Sequence, residues 1–210
     1  MKNPDFILIG EGSPEAGERL KDMYLTLNPT SVIQRMSPSS AEITKLSVNC
    51  FVTTKIAFAN MIGDVADLTP GANKFDILRA VGFDSRVGHK YLKPGYAFGG
   101  PCFPRDNRAL GGYIKKVGIS PLIPNATDQS NNLHTKFQTR ELKKQQEKSV
   151  VFTGIAYKDN CTVPIIEESA KLKMAESLAK DGVEVTLRDI PELLNCVRLE
   201  YGNLFQYEEI

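Results

Sequence analysis

The stretch from Ala41 to Leu68 restricts the fold more than any other part of this chain. It is long, holds no proline and is apolar on much of its circumference. Ile43, Leu46, Cys50, Ala57 and Met61 fall near one stripe at helical spacing, and Val48, Phe51, Val52, Phe58 and Ile62 widen it. Ser39 or Ser40 stands where a cap is needed, and the helix has to stop before Thr69-Pro70-Gly71. A helix with this much apolar surface is expected to be buried on much of its girth. That places it at the centre of a helical domain or at a subunit interface, and the expectation is a homodimer formed through it.

The residues around it divide the chain. Before it, Phe6–Gly10 reads as a short strand. The run SPEAGERLKDMYLTL then reads as a helix with Ser13 as cap and Pro14 in its first turn, stopping at Asn28-Pro29. SVIQRM is a second short strand. After the long helix, KFDILRAVGFD reads as a helix with Gly82 as a left-handed cap. The segment from Ser85 to Pro104, rich in glycine, proline and aromatic residues, reads as an ordered functional loop. Two further helices follow, one from Pro104 to a stop at Gly118 and one from Pro121 to Gln146. The texture then changes. KSVVFTGIAYK is a β-branched strand and loop, Pro164–Asp181 a helix, and VEVTLRD a second strand, which is the opening of a parallel α/β sheet. Only about twenty residues remain, so this last unit is expected to be incomplete.

Composition narrows the partners. Lys and Arg number 26 against 25 Asp and Glu, a net charge of +1, which points to neither nucleic acid nor an anionic membrane surface. No apolar run approaches the roughly 20 residues of a membrane span. The four cysteines, Cys50, Cys102, Cys161 and Cys196, never form CxxC, so neither a disulfide framework nor a metal site is expected, and a reducing cytoplasm fits best. Cys50, Cys161 and Cys196 read as small packed residues, and His89 and His134 as loop or surface residues.

LIGEGSPEAG invites a dinucleotide-binding reading, which its residues refuse. Gly10 and Gly12 are present, but Glu15 holds the place of the third glycine, and an acidic helix start repels a pyrophosphate.

A better constellation centres on GGPCFPRD, Gly99–Asp106. Two prolines and two glycines hold one thiol, Cys102, just before a helix N-terminus, whose positive end favours the thiolate. Asp106 follows one turn into that helix. On the long helix Lys45 and Asn49 stand at i and i+4, side by side on one face. Cysteine, lysine, asparagine and aspartate together suit chemistry at a carbonyl: attack by the thiolate, stabilisation of an oxyanion, and help to a water. The plain alternative is a buried structural cysteine, a solvated lysine and a capping amide.

AEITKLSVNCF, DSRVGHKYLKPGYAFGGPCFPRDNRAL and GIAYK, in that order and spacing, resemble the UDP-glucose/GDP-mannose dehydrogenase family. The resemblance implies an NAD-dependent nucleotide-sugar 6-dehydrogenase, which oxidises a sugar C6 alcohol to a carboxylate through a cysteine thiohemiacetal and thioester. By motif, Cys102 is the implied nucleophile, Lys45 and Asn49 the oxyanion pair, and Asp106 the residue beside the hydrolytic water. Lys93, Pro94, Gly95, Tyr96, Ala97, Phe98 and Gly99 are the implied sugar-nucleotide loop. Arg86 matches an arginine that in the family reaches a partner's substrate across the dimer, and Tyr157 and Lys158 match the contact from the last domain to the nucleotide sugar. Arg105 occupies a place beside the cofactor where lysine is usual. The implied partners are a UDP- or GDP-sugar and a second copy, with no nucleic acid and no membrane.

The fold class that follows is mixed α and α/β: a central all-helical dimerisation domain flanked by incomplete Rossmann-like α/β pieces. The implied boundaries are a remnant of an N-terminal NAD-binding domain at 1–36, a central helical domain at 37–147 and an incomplete nucleotide-sugar-binding α/β domain at 148–210. Two departures stand out. The complete NAD-binding domain of the family is not in this sequence, and NCTVPIIEES replaces an arginine-bearing segment near the cofactor. The isolated chain is therefore expected not to turn over, and a non-catalytic, dimeric nucleotide-sugar-binding or regulatory protein is the alternative.

Overall fold

The computed structural model describes residues 4–158, 161 and 163–210, and they form two compact units, Met1–Val48 and Asn49–Ile210. The first unit opens with β1 (Ile7–Gly10), α1 (Pro14–Leu27) and β2 (Ile33–Met36). The two strands pair in parallel, Ile7 opposite Ile33 and Gly10 opposite Met36. The β1–α1 turn is an ordinary capped start: Ser13 Oγ accepts from the Ala16 amide at 3.2 Å, and Pro14 occupies the first turn. Glu11 and Glu18 pair with Arg35 of β2 over that turn.

The long helix, α2, runs Pro38–Asp67. Its cap is Ser37 rather than Ser39 or Ser40: Ser37 Oγ accepts from the Ser40 amide at 3.2 Å, and Pro38 starts the helix because its missing N–H would have no partner there. The expected burial around its girth is corrected. Beyond Asn49 its buried residues are small or polar, namely Cys50, Thr53, Ala57, Ala59, Asn60, Gly63 and Ala66. The large apolar residues Phe51, Phe58, Met61, Val65 and Leu68 are exposed, Phe51 at 69%. Small residues inside let neighbouring backbone approach closely, which leaves the bulky side chains facing out.

The second unit continues with α3 (Lys74–Phe83), α4 (Phe103–Lys116) and α5 (Leu122–Lys144). Asn73 caps α3 by accepting from the Phe75 and Asp76 amides. Gly82 is not its left-handed end. It is buried inside α3, and a Cβ there would lie 2.3 Å from the His89 ring. The stop at Gly118 holds, with φ of +84°. Residues 84–102 form no helix or strand.

Three strands, β3 (Ser149–Thr153), β4 (Glu184–Asp189) and β5 (Gln206–Glu209), make a parallel sheet in that order, with α6 (Ala170–Lys180) and α7 (Pro191–Tyr201) as crossovers. The last unit thus gains a third strand beyond the two anticipated. The helix read from Pro164 begins only at Ala170, capped by Ser169, because residues up to Glu168, itself at φ +53°, run irregularly. Leu172, Leu178, Leu187, Leu193 and Val197 fill the core between this sheet and its helices.

Candidate functional site

Cys102 is exposed and occupies the N-cap position of α4, its carbonyl accepting from the Asp106 amide at 2.8 Å. Cys102 therefore stands at the positive end of a fourteen-residue helix, although its side chain makes no cap hydrogen bond there. One turn in, Asp106 is buried, and its Oδ2 accepts from Asn49 Nδ2 at 2.5 Å. Its other oxygen accepts from Arg105 Nε at 3.2 Å. Asn49, Arg105 and Asp106 therefore form one hydrogen-bonded group. Lys45 lies one turn before Asn49 on α2, in the unit Met1–Val48, and is exposed.

The loop before the thiol has no ladder of its own, so side chains of α2 and α5 hold its backbone. Asn60 accepts from the Gly95 amide at 2.9 Å and donates to the Tyr96 carbonyl at 3.1 Å. Asn131 accepts from the Phe98 amide and donates to its carbonyl, both at 2.9 Å. His134 Nε2 and Gln138 Nε2 both reach the Gly95 carbonyl. His134, expected at the surface, is instead 5% exposed inside α5. None of these clamping residues was singled out from the sequence. Their signal is faint: Asn131, His134 and Gln138 at i, i+3 and i+7 share one helix face.

Gly99 and Gly100 bring this loop against the α/β piece. Gly100 has φ of +80°, and a Cβ on it would lie 2.3 Å from the Tyr157 ring; one on Gly99 would lie 2.3 Å from the Glu168 carbonyl oxygen. Between them opens a cavity of about 240 Å³, lined by Tyr96, Phe98, Phe103, Tyr157, Lys158 and Lys171 among others. Tyr157 and Lys158 thus share a cavity with Tyr96, Ala97, Phe98 and Gly99. Lys171, missed in the sequence, stacks its ammonium 4.9 Å from the Tyr96 ring centre and donates to the Thr153 and Gly154 carbonyls. Lys158 is held in its charged form by hydrogen bonding with Tyr157 and by the charges of Tyr157, Cys161 and Cys102 nearby. Asp189, at the end of β4, accepts from the Ile155 amide at 2.7 Å and so sets the turn that carries Tyr157. Pro94 is buried, whereas Lys93 is exposed. Arg86 is exposed and forks onto its own neighbour Asp84 at 2.7 and 3.0 Å.

An ion-pair network staples the thiol helix to the start of α6. Arg108 donates to Glu168 at 2.6 Å and also pairs with Asp128, and Lys173 reaches Glu168 at 2.8 Å. The bond from Arg108, helped by Lys173, holds the Glu168 carboxyl down to about 2 from an ordinary 4.5. A lowered carboxyl stabilises the fold above its unfolded value and loses that contribution as pH falls. Half-exposed Arg108 is screened by solvent, so we expect Glu168→Gln to cost about 1–2 kcal/mol near neutrality. In urea unfolding that difference shrinks as pH falls from about 4.5 toward 2. An equal difference at both ends would show that the carboxylate charge contributes nothing.

Residues 39–133 match the model of the UDP-glucose/GDP-mannose dehydrogenase family, central domain. UDP-glucose 6-dehydrogenase of Pseudomonas aeruginosa is 30% identical over 95% of this chain and 47% of its own length. GDP-mannose 6-dehydrogenase of Azotobacter vinelandii is 28% identical over 89% of this chain and 42% of its own. The solved structure of a UDP-glucose dehydrogenase from the hyperthermophilic archaeon Pyrobaculum islandicum superposes with a TM-score of 0.90 at 30% identity, over all of this chain and 48% of that one. This chain spans about half the length of the relatives it matches. Among the described residues no helix is long and apolar enough to cross a membrane. With its thiol helix inside the matched central domain and its fold shared end to end with that archaeal structure, the chain belongs to the UDP-glucose/GDP-mannose dehydrogenase family.

Proposed function

We propose that this chain supplies the nucleotide-sugar-binding and thiol-bearing part of a nucleotide-sugar 6-dehydrogenase, working in the cytoplasm. The observation that carries this reading is the cavity between Tyr96–Gly99 and Tyr157–Lys158, beside the α4 helix that Cys102 caps. Two lysines, Lys158 and Lys171, and the capped start of α6 line it, which suits the diphosphate of a UDP- or GDP-sugar. Tyr96, Phe98, Phe103 and Tyr157 offer faces for a base or a sugar ring.

In this reading Cys102 Sγ adds to a C6 aldehyde. The oxyanion so formed is met by Asn49, a part that the resemblance also gives Lys45, and Asp106 orients a water beside the adduct. Asp106 is already engaged by Asn49 and Arg105, so its carboxylate is fixed in direction. NAD, which the resemblance implies as hydride acceptor, does not fit the β1–α1 turn. Glu11 and Glu15 surround that helix start, and Glu11 Oε2 fills the space above Gly17 where a cofactor would approach.

The exposed residues of α2 support a homodimer. Phe51, Phe58 and Val65 recur at seven-residue spacing, with Met61 and Leu68 three residues after the last two, the pattern of a helix–helix seam. Arg86, exposed and paired with Asp84 among the described residues, is placed to be redirected toward a partner's ligand.

Calorimetric titration with UDP-glucose and GDP-mannose tests the reading. Micromolar binding of one of them, weakened about tenfold or more by Lys158→Ala, is the expected result. Thiol labelling of Cys102, slowed by the bound sugar nucleotide, places the ligand beside the thiol. Absence of binding by either ligand would refute the assignment. A chain that binds them yet reduces no NAD would favour a non-catalytic, regulatory role.

A further inference from the structure

The pair formed by half-buried Asp64 and buried His134 has no place in the chemistry above. Asp64 stands on α2 and His134 on α5. His134 Nδ1 lies 2.8 and 2.9 Å from the two Asp64 oxygens, and Nε2 lies 2.8 Å from the Gly95 carbonyl oxygen. A carbonyl can only accept, so Nε2 must carry hydrogen. An ionised carboxylate can only accept as well, so the Nδ1 contact also needs a proton between its partners. A neutral imidazole with an ionised Asp64 has one proton for two acceptors. The observed geometry is met only when the pair holds one proton more.

That extra proton has a mechanical consequence. Gly95 immediately precedes Tyr96, which lines the ligand cavity, and side chains of α2 and α5 hold the Gly95–Phe98 backbone. If the pair gives up its proton, the ring keeps either Asp64 or Gly95 but not both. Gln138 also donates to the Gly95 carbonyl, at the longer distance of 3.1 Å, but its own Oε1 is buried without a partner among the described residues, so it is a poor substitute. The other charged groups around the same small cavity are Asp67 and Lys74, which pair with each other at 2.7 Å. They leave Asp64 as the counter-ion of His134.

We propose that the protonated Asp64–His134 pair is a positioning pair that latches Gly95–Gly99, so that the affinity of the cavity for a nucleotide sugar falls when the pair loses its proton. This rests on the function proposed above for that cavity.

The test uses the full chain labelled with ¹⁵N, in which His89 and His134 are the two histidines. Imidazole spectra, amide protection factors for residues 95–99 and calorimetric titration of UDP-glucose are followed from about pH 6 to about pH 9. The expected result is a His134 ring that carries hydrogen on both nitrogens while residues 95–99 are protected. As it deprotonates, protection and affinity should each fall about tenfold. Asp64→Asn should move both profiles to lower pH, Asp64→Glu should restore them, and His134→Gln should flatten them. A His134 ring carrying one proton while residues 95–99 stay protected, or profiles that Asp64→Asn leaves in place, would overturn the proposal. Should a variant fail to fold, the wild-type spectra and protection profile decide alone. If the wild type binds no UDP-glucose at any pH, the cavity's assignment fails, while the spectra and protection factors still decide the latch.

Discussion

Gly100→Ala should cost the protein most of its affinity for a nucleotide sugar, about 10- to 100-fold by calorimetry. Two effects add. Gly100 has φ of +80°, which costs a residue with a Cβ about 1–2 kcal/mol. The new Cβ would also lie 2.3 Å from the Tyr157 ring, so the ring must move, and Lys158 moves with it. Gly118→Ala is the control. Its φ of +84° carries the same backbone strain, but no atom lies within 4 Å of the added Cβ, at the far end of α4. It should lose about 1–2 kcal/mol of stability and keep its ligand affinity. Equal binding by the Gly100 variant would mean that Tyr157 does not form a wall of the ligand site.

Phe58→Asp should turn a dimer into a monomer without unfolding the chain. Phe58 is 43% exposed on α2 between Phe51 and Val65, so its loss removes only part of a side chain's packing within one chain. In a seam of two such helices it is buried twice by symmetry, and placing a carboxylate there leaves two desolvated charges facing each other. A dissociation constant raised by about a thousandfold or more is expected, read by light scattering at micromolar concentration, with the circular dichroism unchanged. A wild type that is monomeric under those conditions would remove the seam from consideration, and with it the reach of Arg86 to a partner.

The legible parts of this chain were those decided by residues near one another in sequence. Ser13 before Pro14 and Gly118 after α4 mark helix ends because a cap or a left-handed residue acts within one turn. Pro101, Pro104 and the paired glycines mark a rigid thiol loop for the same local reason. The start of α6 was misread because Pro164 looks like a helix start. What delays it is the contact of residues 167–169 with Gly99 and Gly100, far away in the chain: the Glu167 carbonyl accepts from the Gly100 amide at 2.9 Å. The third strand, β5, was missed because QYEE is short and polar; it forms by pairing with β4.

By itself, then, the sequence determined where the thiol stands, which helix presents it and the likeness to a family of sugar-nucleotide dehydrogenases, since each is written in contiguous residues. Only the tertiary structure decided what holds that loop. Asn60, Asn131, His134 and Gln138 look like unremarkable polar residues until α2 and α5 pack on either side of an unladdered backbone. Their roles come from the need to pair every buried backbone N–H and C=O, and which groups are left to pair is settled only after the helices meet.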